Sequence, residues 1–260
     1  MSDAEVVPDY PGRLRLDGRV VVVLGAGAGI GRQTSHALAQ AGATVVCVGR
    51  RAEPVEAVAE EIGGHAVTGD VVRHEGMEHV LAEAGRIGPV TGLVDIVGMA
   101  LPGPVLSYDE DRYDEQFDVV LRHAFLALRI GGRAIAEAGG GSMVFIGSVS
   151  GQAYVPGQTI YGAAKAALHR MVESAGRELA PLGVRVNAVA PGFTHTPRLD
   201  DLLTEDRWAA IDASIPRGRA GFAAEIAGPV LFLMSDLATY LTGQTVAVDG
   251  GMSASVPVRL

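Results

Sequence analysis

The stretch RVVVVLGAGAGIG, residues 19–31, limits the possible folds more than any other part of this chain. Val20 to Leu24 is apolar without alternation and runs straight into a turn carrying four glycines. An alternating strand buries one face; a continuous β-branched run is buried on both, as inside a parallel sheet. Similar runs recur at 43–49, 65–70, 92–98, 141–147, 184–192 and 244–251. Between them lie segments of helical character at 32–42, 53–63, 74–85, 109–138, 159–183 and 223–236. Seven strands alternating with six helices predict an α/β fold. Its form is a doubly wound Rossmann-type parallel sheet, with helices on both faces, in one domain spanning 17–260. Residues 1–16, with prolines at 8 and 11, read as a loosely held polar arm. Residues 193–222, which include Trp208, break the rhythm and are expected to cover the C-terminal edge of the sheet as a substrate lid.

At 260 residues the chain is long enough to bury roughly three-quarters of its unfolded surface. A net charge of −9 argues against a nucleic-acid partner, because phosphate backbones require a basic face. The single cysteine, Cys47, lies in an apolar run, so no intrachain disulfide forms and a reducing, cytoplasmic setting is expected. The N-terminus lacks the basic start and apolar stretch of a secretory signal. No run of about 18 apolar residues suggests a membrane span. The seven histidines show no metal-ligand spacing: His74 and His79 are five apart, off a common helical face. No metal is expected.

The glycine turn, with Gly25, Gly29, Ile30 and Gly31, follows a strand and opens a helix. Such turns let backbone N–H groups approach a pyrophosphate, and the helix N-terminus adds partial positive charge. Isoleucine at position 30 departs from strict G-x-G-x-x-G spacing. After the second strand, where an acidic residue would bond the ribose hydroxyls of NAD(H), the chain offers Arg50 and Arg51. A guanidinium suits a 2′-phosphate, so NADP(H) is expected over NAD(H). Ala28 supplies no second basic group in the turn.

In this order and spacing, further motifs make the chain resemble the short-chain dehydrogenase/reductase family from about residue 17 to 251. They are Asp70-Val71, Ser148, Tyr161-Gly-Ala-Ala-Lys165, Asn187, Pro191-Gly192 with Thr196, and YLTGQTVAVDGG. The resemblance implies a catalytic set of Ser148, Tyr161 and Lys165. It places Asp70 and Val71 by the adenine. Val97, Gly98, Pro191, Gly192, Thr194 and Thr196 would lie along the cofactor, and Lys165 would also hold the nicotinamide ribose. Tyr161 and Lys165, at i and i+4, share a helical face. Tyrosine's ordinary pKa of about 10 makes it a slow base near neutrality. Stabilising its phenolate by roughly 4 kcal/mol would bring it about three units lower, a task expected of the lysine ammonium and the cofactor's positive charge.

The chain departs from the family in three places. The usual Asn-Asn-Ala-Gly is Asp95-Ile96-Val97-Gly98, the threonine before the glycine turn is Leu24, and an asparagine of the long helix is Val120. Leu24 and Ile96 are expected to pack together as an apolar replacement. Asp95, a carboxylate on a central strand, needs a partner and is expected to serve structure rather than catalysis. Valine at 120 retains the backbone carbonyl through which the family's asparagine supports a water chain to the lysine. Ser150, Gln152, Tyr154 and Phe193 lie where relatives shape the substrate pocket, whereas His195 is expected to be a solvent-exposed loop residue. The expected activity is hydride transfer between NADP(H) and a secondary alcohol or ketone, with 3-oxoacyl and hydrophobic or cyclic substrates both open. The alternatives are a non-catalytic nucleotide sensor and an isomerase or dehydratase. Relatives assemble as dimers or tetramers through the helices near 109–138 and 160–180 and the last strand, and the tail VPVRL would suit a subunit contact.

Overall fold

The computed structural model describes residues 7–254. Its strands are β1 (Val20–Leu24), β2 (Thr44–Gly49), β3 (His65–Thr68), β4 (Val90–Asp95), β5 (Gly141–Ile146), β6 (Val184–Pro191), β7 (Thr194–His195), β8 (Gly221–Phe222) and β9 (Thr245–Val248). Seven form one sheet in the order β3-β2-β1-β4-β5-β6-β9, with every pair parallel. The order reverses between β1 and β4, and the crevice at such a switch point is where open α/β sheets bind ligands.

Helix placement follows from the pleat. Val20, Val22 and Leu24 face one side, packing with Met77 and Val80 of α3 (His74–Ile87) and Leu168 and Val172 of the long α7 (Thr159–Leu179). Val21 and Val23 face the other side, with Leu38 of α1 (Gly29–Gln40), Val55 and Val58 of α2 (Ala52–Ile62), and Ile226 and Val230 of α10 (Ala223–Met234). All five β1 residues are buried, as a doubly covered strand requires. The edge strands β3 and β9 are largely exposed despite their apolar sequence, because each has one neighbour.

The long helical segment is not one regular helix. It runs as α4 (Glu110–Phe117), a π turn at Asp118–Arg122, α5 (His123–Leu126), a second π turn at Ala127–Gly131, and α6 (Gly132–Glu137). The 193–222 segment folds into α8 (Pro197–Leu202) and α9 (Glu205–Ser214), bracketed by the parallel pair β7–β8.

Three expectations need correction or restriction. Leu16, assigned to a loose arm, is fully buried, and its N–H bonds the Ala41 carbonyl at 2.8 Å, so that part of the arm belongs to the core. Burying one leucine stabilises by about 1.5–3 kcal/mol, enough to fix that stretch. Leu24 and Ile96 do not pack together: they join cores on opposite faces and meet only through the Ile96 N–H to Leu24 carbonyl bond, 3.0 Å. Residues 1–6 and the VPVRL tail lie outside the described residues. Cys47 is buried in β2 with burial raising its thiol pKa, and no helix among the described residues is long and apolar enough to cross a membrane.

Candidate active site

The glycine turn lies at the switch point, with the Gly25 and Ala26 N–H groups bonded to the Val48 carbonyl at 2.9 and 3.0 Å. Gly25 has φ +87°, which excludes most side chains. A Cβ on Gly31 would stand 1.9 Å from the Gly25 carbonyl oxygen, so α1 can start this close to β1 only with glycine there. Thr196, which caps α8 through the Leu199 N–H, lies against Gly29: a Cβ there would be 3.3 Å from its methyl group. Ile30, half-buried, packs toward the α1 face of the core. Arg50 and Arg51 are exposed at the start of α2, and their side chains make no hydrogen bond or ion pair among the described residues. Val71 is buried next to Asp70 after β3, and the Val97 N–H bonds Asp95 just before Gly98. Pro191 ends β6, and the Gly192 N–H bonds Val248 at 3.1 Å. The Thr194 hydroxyl in turn donates to the Gly192 carbonyl. These residues gather along one sheet edge. An open backbone cradle, a helix N-terminus and two unpaired guanidinium groups fit a phosphorylated dinucleotide.

Tyr161 and Lys165 occupy successive turns of α7, with the Lys165 Nζ 5.8 Å from the centre of the phenol ring. Lys165 is the only lysine in the sequence, and it is 2% exposed. Its Nζ donates to the Ile146 carbonyl at 2.7 Å. Burial lowers its pKa to about 8, against the opposing pull of the Asp95 carboxylate. Ser148 follows β5, and its hydroxyl acts on the Tyr161 phenol in the sense that lowers its pKa. The protein's own groups do not lower the phenol's pKa, so the lowering expected from the sequence would fall to the cofactor's positive charge. Burial pushes Tyr161 up to about 12, only partly offset by Ser148, because removal from water disfavours the phenolate.

Asp95 has a partner that sequence reasoning missed. His123, at the start of α5, places Nδ1 2.7 Å from Asp95 Oδ2 and Nε2 3.1 Å from the Val119 carbonyl. Both side chains are buried, and Asp95 Oδ1 accepts the Val97 N–H at 3.1 Å. His169 is a second omission. Its Nε2 accepts the Ser148 N–H at 3.3 Å, and burial, with Lys165 adding to it, lowers its pKa to about 4. It therefore stays neutral as an acceptor. The available signal was its spacing, four residues after Lys165 and eight after Tyr161 on one helix.

The substrate candidates divide. The Ser150 N–H bonds the Ser148 hydroxyl, and the Ser150 hydroxyl bonds Gln158 at 2.6 Å, so Ser150 is built into the turn beside the phenol. Gln152 instead lines a surface groove with His169, Arg170 and Gln244 that includes neither Ser148 nor Tyr161. Tyr154 is 83% exposed. The Phe193 carbonyl accepts the Gly221 N–H, tying β7 to β8. His195 is not a free loop residue: its Nδ1 bonds Asp200 at 2.7 Å, and its ring stacks 4.0 Å from Trp208 and 5.2 Å from Phe222. The exposed His74 pairs with Glu78.

A seven-stranded doubly wound sheet with a glycine turn at its switch point defines a Rossmann-type dinucleotide-binding protein. A family profile described as enoyl-(acyl carrier protein) reductase matches residues 25–253. Galactitol 2-dehydrogenase (L-tagatose-forming) of Cereibacter sphaeroides is 36% identical over 251 residues, covering 94% of this chain and 98% of that protein. The 3-oxoacyl-[acyl-carrier-protein] reductase FabG of Thermotoga maritima is 34% identical, covering 92% and 99%. The crystal structure of gox2181 matches with a TM-score of 0.91 at 32% identity, covering 95% of this chain and all of that one. A gluconate 5-dehydrogenase from Burkholderia cenocepacia J2315, in complex with NADP and tartrate, matches with a TM-score of 0.88 at 28% identity, covering 94% and 99%. The chain belongs to the short-chain dehydrogenase/reductase family, and it is an NAD(P)-dependent oxidoreductase acting on an alcohol or ketone.

Proposed function

We propose that this chain interconverts a secondary alcohol and its ketone using NADP(H), with Ser148, Tyr161 and Lys165 as its catalytic residues. The observation that carries this reading is the Lys165 amine 5.8 Å from the centre of the Tyr161 ring on one helix, with Ser148 in the turn that follows β5. When bound, the nicotinamide supplies or accepts the hydride. Ser148 holds the substrate oxygen by a hydrogen bond, and Tyr161 gives it a proton during reduction or takes one during oxidation. Lys165 stabilises the phenolate and holds the nicotinamide ribose. A phenol raised to about 12 is protonated at neutral pH, the form a proton donor needs. Alcohol oxidation is expected to accelerate as pH rises.

Gly25, Gly29, Ile30 and Gly31 would cradle the pyrophosphate, with Asp70 and Val71 at the adenine. Val97, Gly98, Pro191, Gly192, Thr194 and Thr196 would line the nicotinamide half. The unpaired guanidinium groups of Arg50 and Arg51 support NADP(H) over NAD(H). Residues 193–222 would cover the substrate, with Ser150 and Phe193 at its border. A cytoplasmic homo-oligomer accords with the buried free thiol and with exposed Phe125 and Phe232 on the outer helices and Val246 on the edge strand.

The test follows absorbance of the reduced nicotinamide against a panel of polyols, hydroxy acids, cyclic ketones and 3-oxoacyl thioesters. Tyr161→Phe should lower turnover by about 10²–10⁴-fold, the usual worth of general acid–base catalysis. Arg50→Ala and Arg51→Ala together should raise KM for NADP(H) about tenfold or more while leaving NAD(H) unaffected. Turnover surviving Tyr161→Phe would refute the catalytic assignment, and an unchanged cofactor preference would refute the arginine assignment.

A further inference from the structure

Helix α7 grips the end of β5 with two side chains one turn apart. The Lys165 Nζ donates to the Ile146 carbonyl at 2.7 Å, and the His169 Nε2 accepts the Ser148 N–H at 3.3 Å. Between those two bonds lies Gly147, whose own N–H reaches the Val189 carbonyl of β6 at 2.7 Å. The imidazole occupies a notch made by two glycines. A Cβ on Gly147 would stand 2.2 Å from the His169 Nε2, and a Cβ on Gly151 would stand 2.8 Å from its Cε1. Heavy atoms settle at about 3.5–4.0 Å, so ring and turn fit only while both positions lack a side chain. The rest of Ser148 is fixed separately. Its hydroxyl oxygen accepts the Ser150 N–H at 3.1 Å, and its carbonyl accepts the Gly151 N–H at 3.0 Å. Those contacts lie within the turn itself. The bond to His169 fastens the Ser148 main chain to the helix that carries Tyr161 and Lys165.

We infer that His169 is a positioning residue for Ser148: a neutral imidazole, seated in the glycine notch, sets where the serine stands relative to Tyr161 and Lys165. This deepens the proposed function and rests on it for the role of Ser148. A backbone N–H only donates, so Nε2 carries no proton and the ring is the Nδ1-protonated tautomer. An imidazolium would set a second donor against the Ser148 N–H. Burial, with the Lys165 charge adding to it, holds the ring down at about 4, which keeps the acceptor available. The side chain is half-buried and lines a surface groove with Gln152, Arg170 and Gln244, so replacing it does not hollow out the core. Its effect on the reaction is geometric: a misplacement of about 1 Å between reacting groups can cost on the order of a hundredfold in rate.

The tautomer can be read without substrate or cofactor. The chain holds seven histidines, and ¹⁵N labelling of the ring nitrogens shows which nitrogen of each is protonated. At neutral pH, His169 should show a protonated Nδ1, a bare Nε2 and a scalar coupling from Nε2 to the Ser148 amide nitrogen. A protonated Nε2 or an absent coupling overturns the inference. The kinetic arm follows reduced nicotinamide with the ketone that the native enzyme turns over fastest. His169→Phe keeps a ring without an acceptor, and should lower kcat about tenfold while leaving KM for NADP(H) unchanged. His169→Gln offers an amide oxygen in the place of Nε2, and should bring kcat back to within about threefold of native. A kcat within about twofold of native in His169→Phe, or a glutamine variant no faster than the phenylalanine one, overturns the inference equally. Should neither variant fold, the tautomer and coupling of the native protein decide. A wrong tautomer leaves the proposed function standing, whereas turnover surviving Tyr161→Phe removes that function and leaves the tautomer readable.

Discussion

The Asp95–His123 pair should show its energetics most clearly through its two halves. His123→Leu removes the imidazole and leaves Asp95, 1% exposed, with the Val97 N–H as its remaining protein donor. Breaking a buried ion pair by deleting one partner costs about 3–5 kcal/mol, because a carboxylate is stranded away from water. Asp95→Leu leaves an imidazole that still bonds the Val119 carbonyl, and should cost less, about 2 kcal/mol. With both replaced, the site joins an apolar cluster that already holds Leu24, Leu93 and Ala124, so no charge is stranded and only the Val97 N–H and the Val119 carbonyl lose a side-chain partner. The double variant should therefore lose no more than about 2 kcal/mol, giving a coupling of at least about 3 kcal/mol. Urea unfolding followed by circular dichroism, at one fixed protein concentration, measures all four corners of the cycle. Single effects that add to within about 0.5 kcal/mol would mean the two side chains do not act as a unit, and the reasoning would fail.

Two other expectations concern the lysine and the glycine turn. Because Lys165 titrates at about 8 when folded against 10.5 unfolded, the unfolded chain binds more protons between those values, and stability should rise with pH across that window. Lys165→Met should accordingly stabilise by on the order of 3 kcal/mol below pH 8, a gain that fades toward pH 10.5; a pH-independent gain in thermal melts would contradict the burial argument. In Gly31→Ala the added carbon would meet the Gly25 carbonyl at 1.9 Å, a backbone atom that no rotamer can move. Stability should fall by about 1–3 kcal/mol and dinucleotide affinity should drop with it, as read by calorimetric titration with NADP(H).

What was legible in the sequence was local. Five apolar residues ending in a glycine turn specify a buried strand and a close helix start by themselves. The i, i+4 spacing of Tyr161 and Lys165 needs only a helix to bring them together. The partner of Asp95 was hidden because His123 lies 28 residues away on another element, and only the folded register brings them together. The two π turns were hidden for a related reason, since a π turn adds one residue per turn without a compositional mark. Leu24 and Ile96 misled because they replace two residues that bond each other in relatives, while here their side chains join opposite faces. The phenol's titration could not be read at all, since it depends on how deeply the ring is enclosed.

Carrying all but one of its side-chain cations as arginine has a chemical consequence. Aldehydes, active esters and enzymatic acylation of side-chain amines find a single target in the chain, and the folded protein encloses it. The native surface is therefore inert toward amine-directed coupling of lysine. Any acylation of that side chain reports either entry through the cofactor cleft or an opened core.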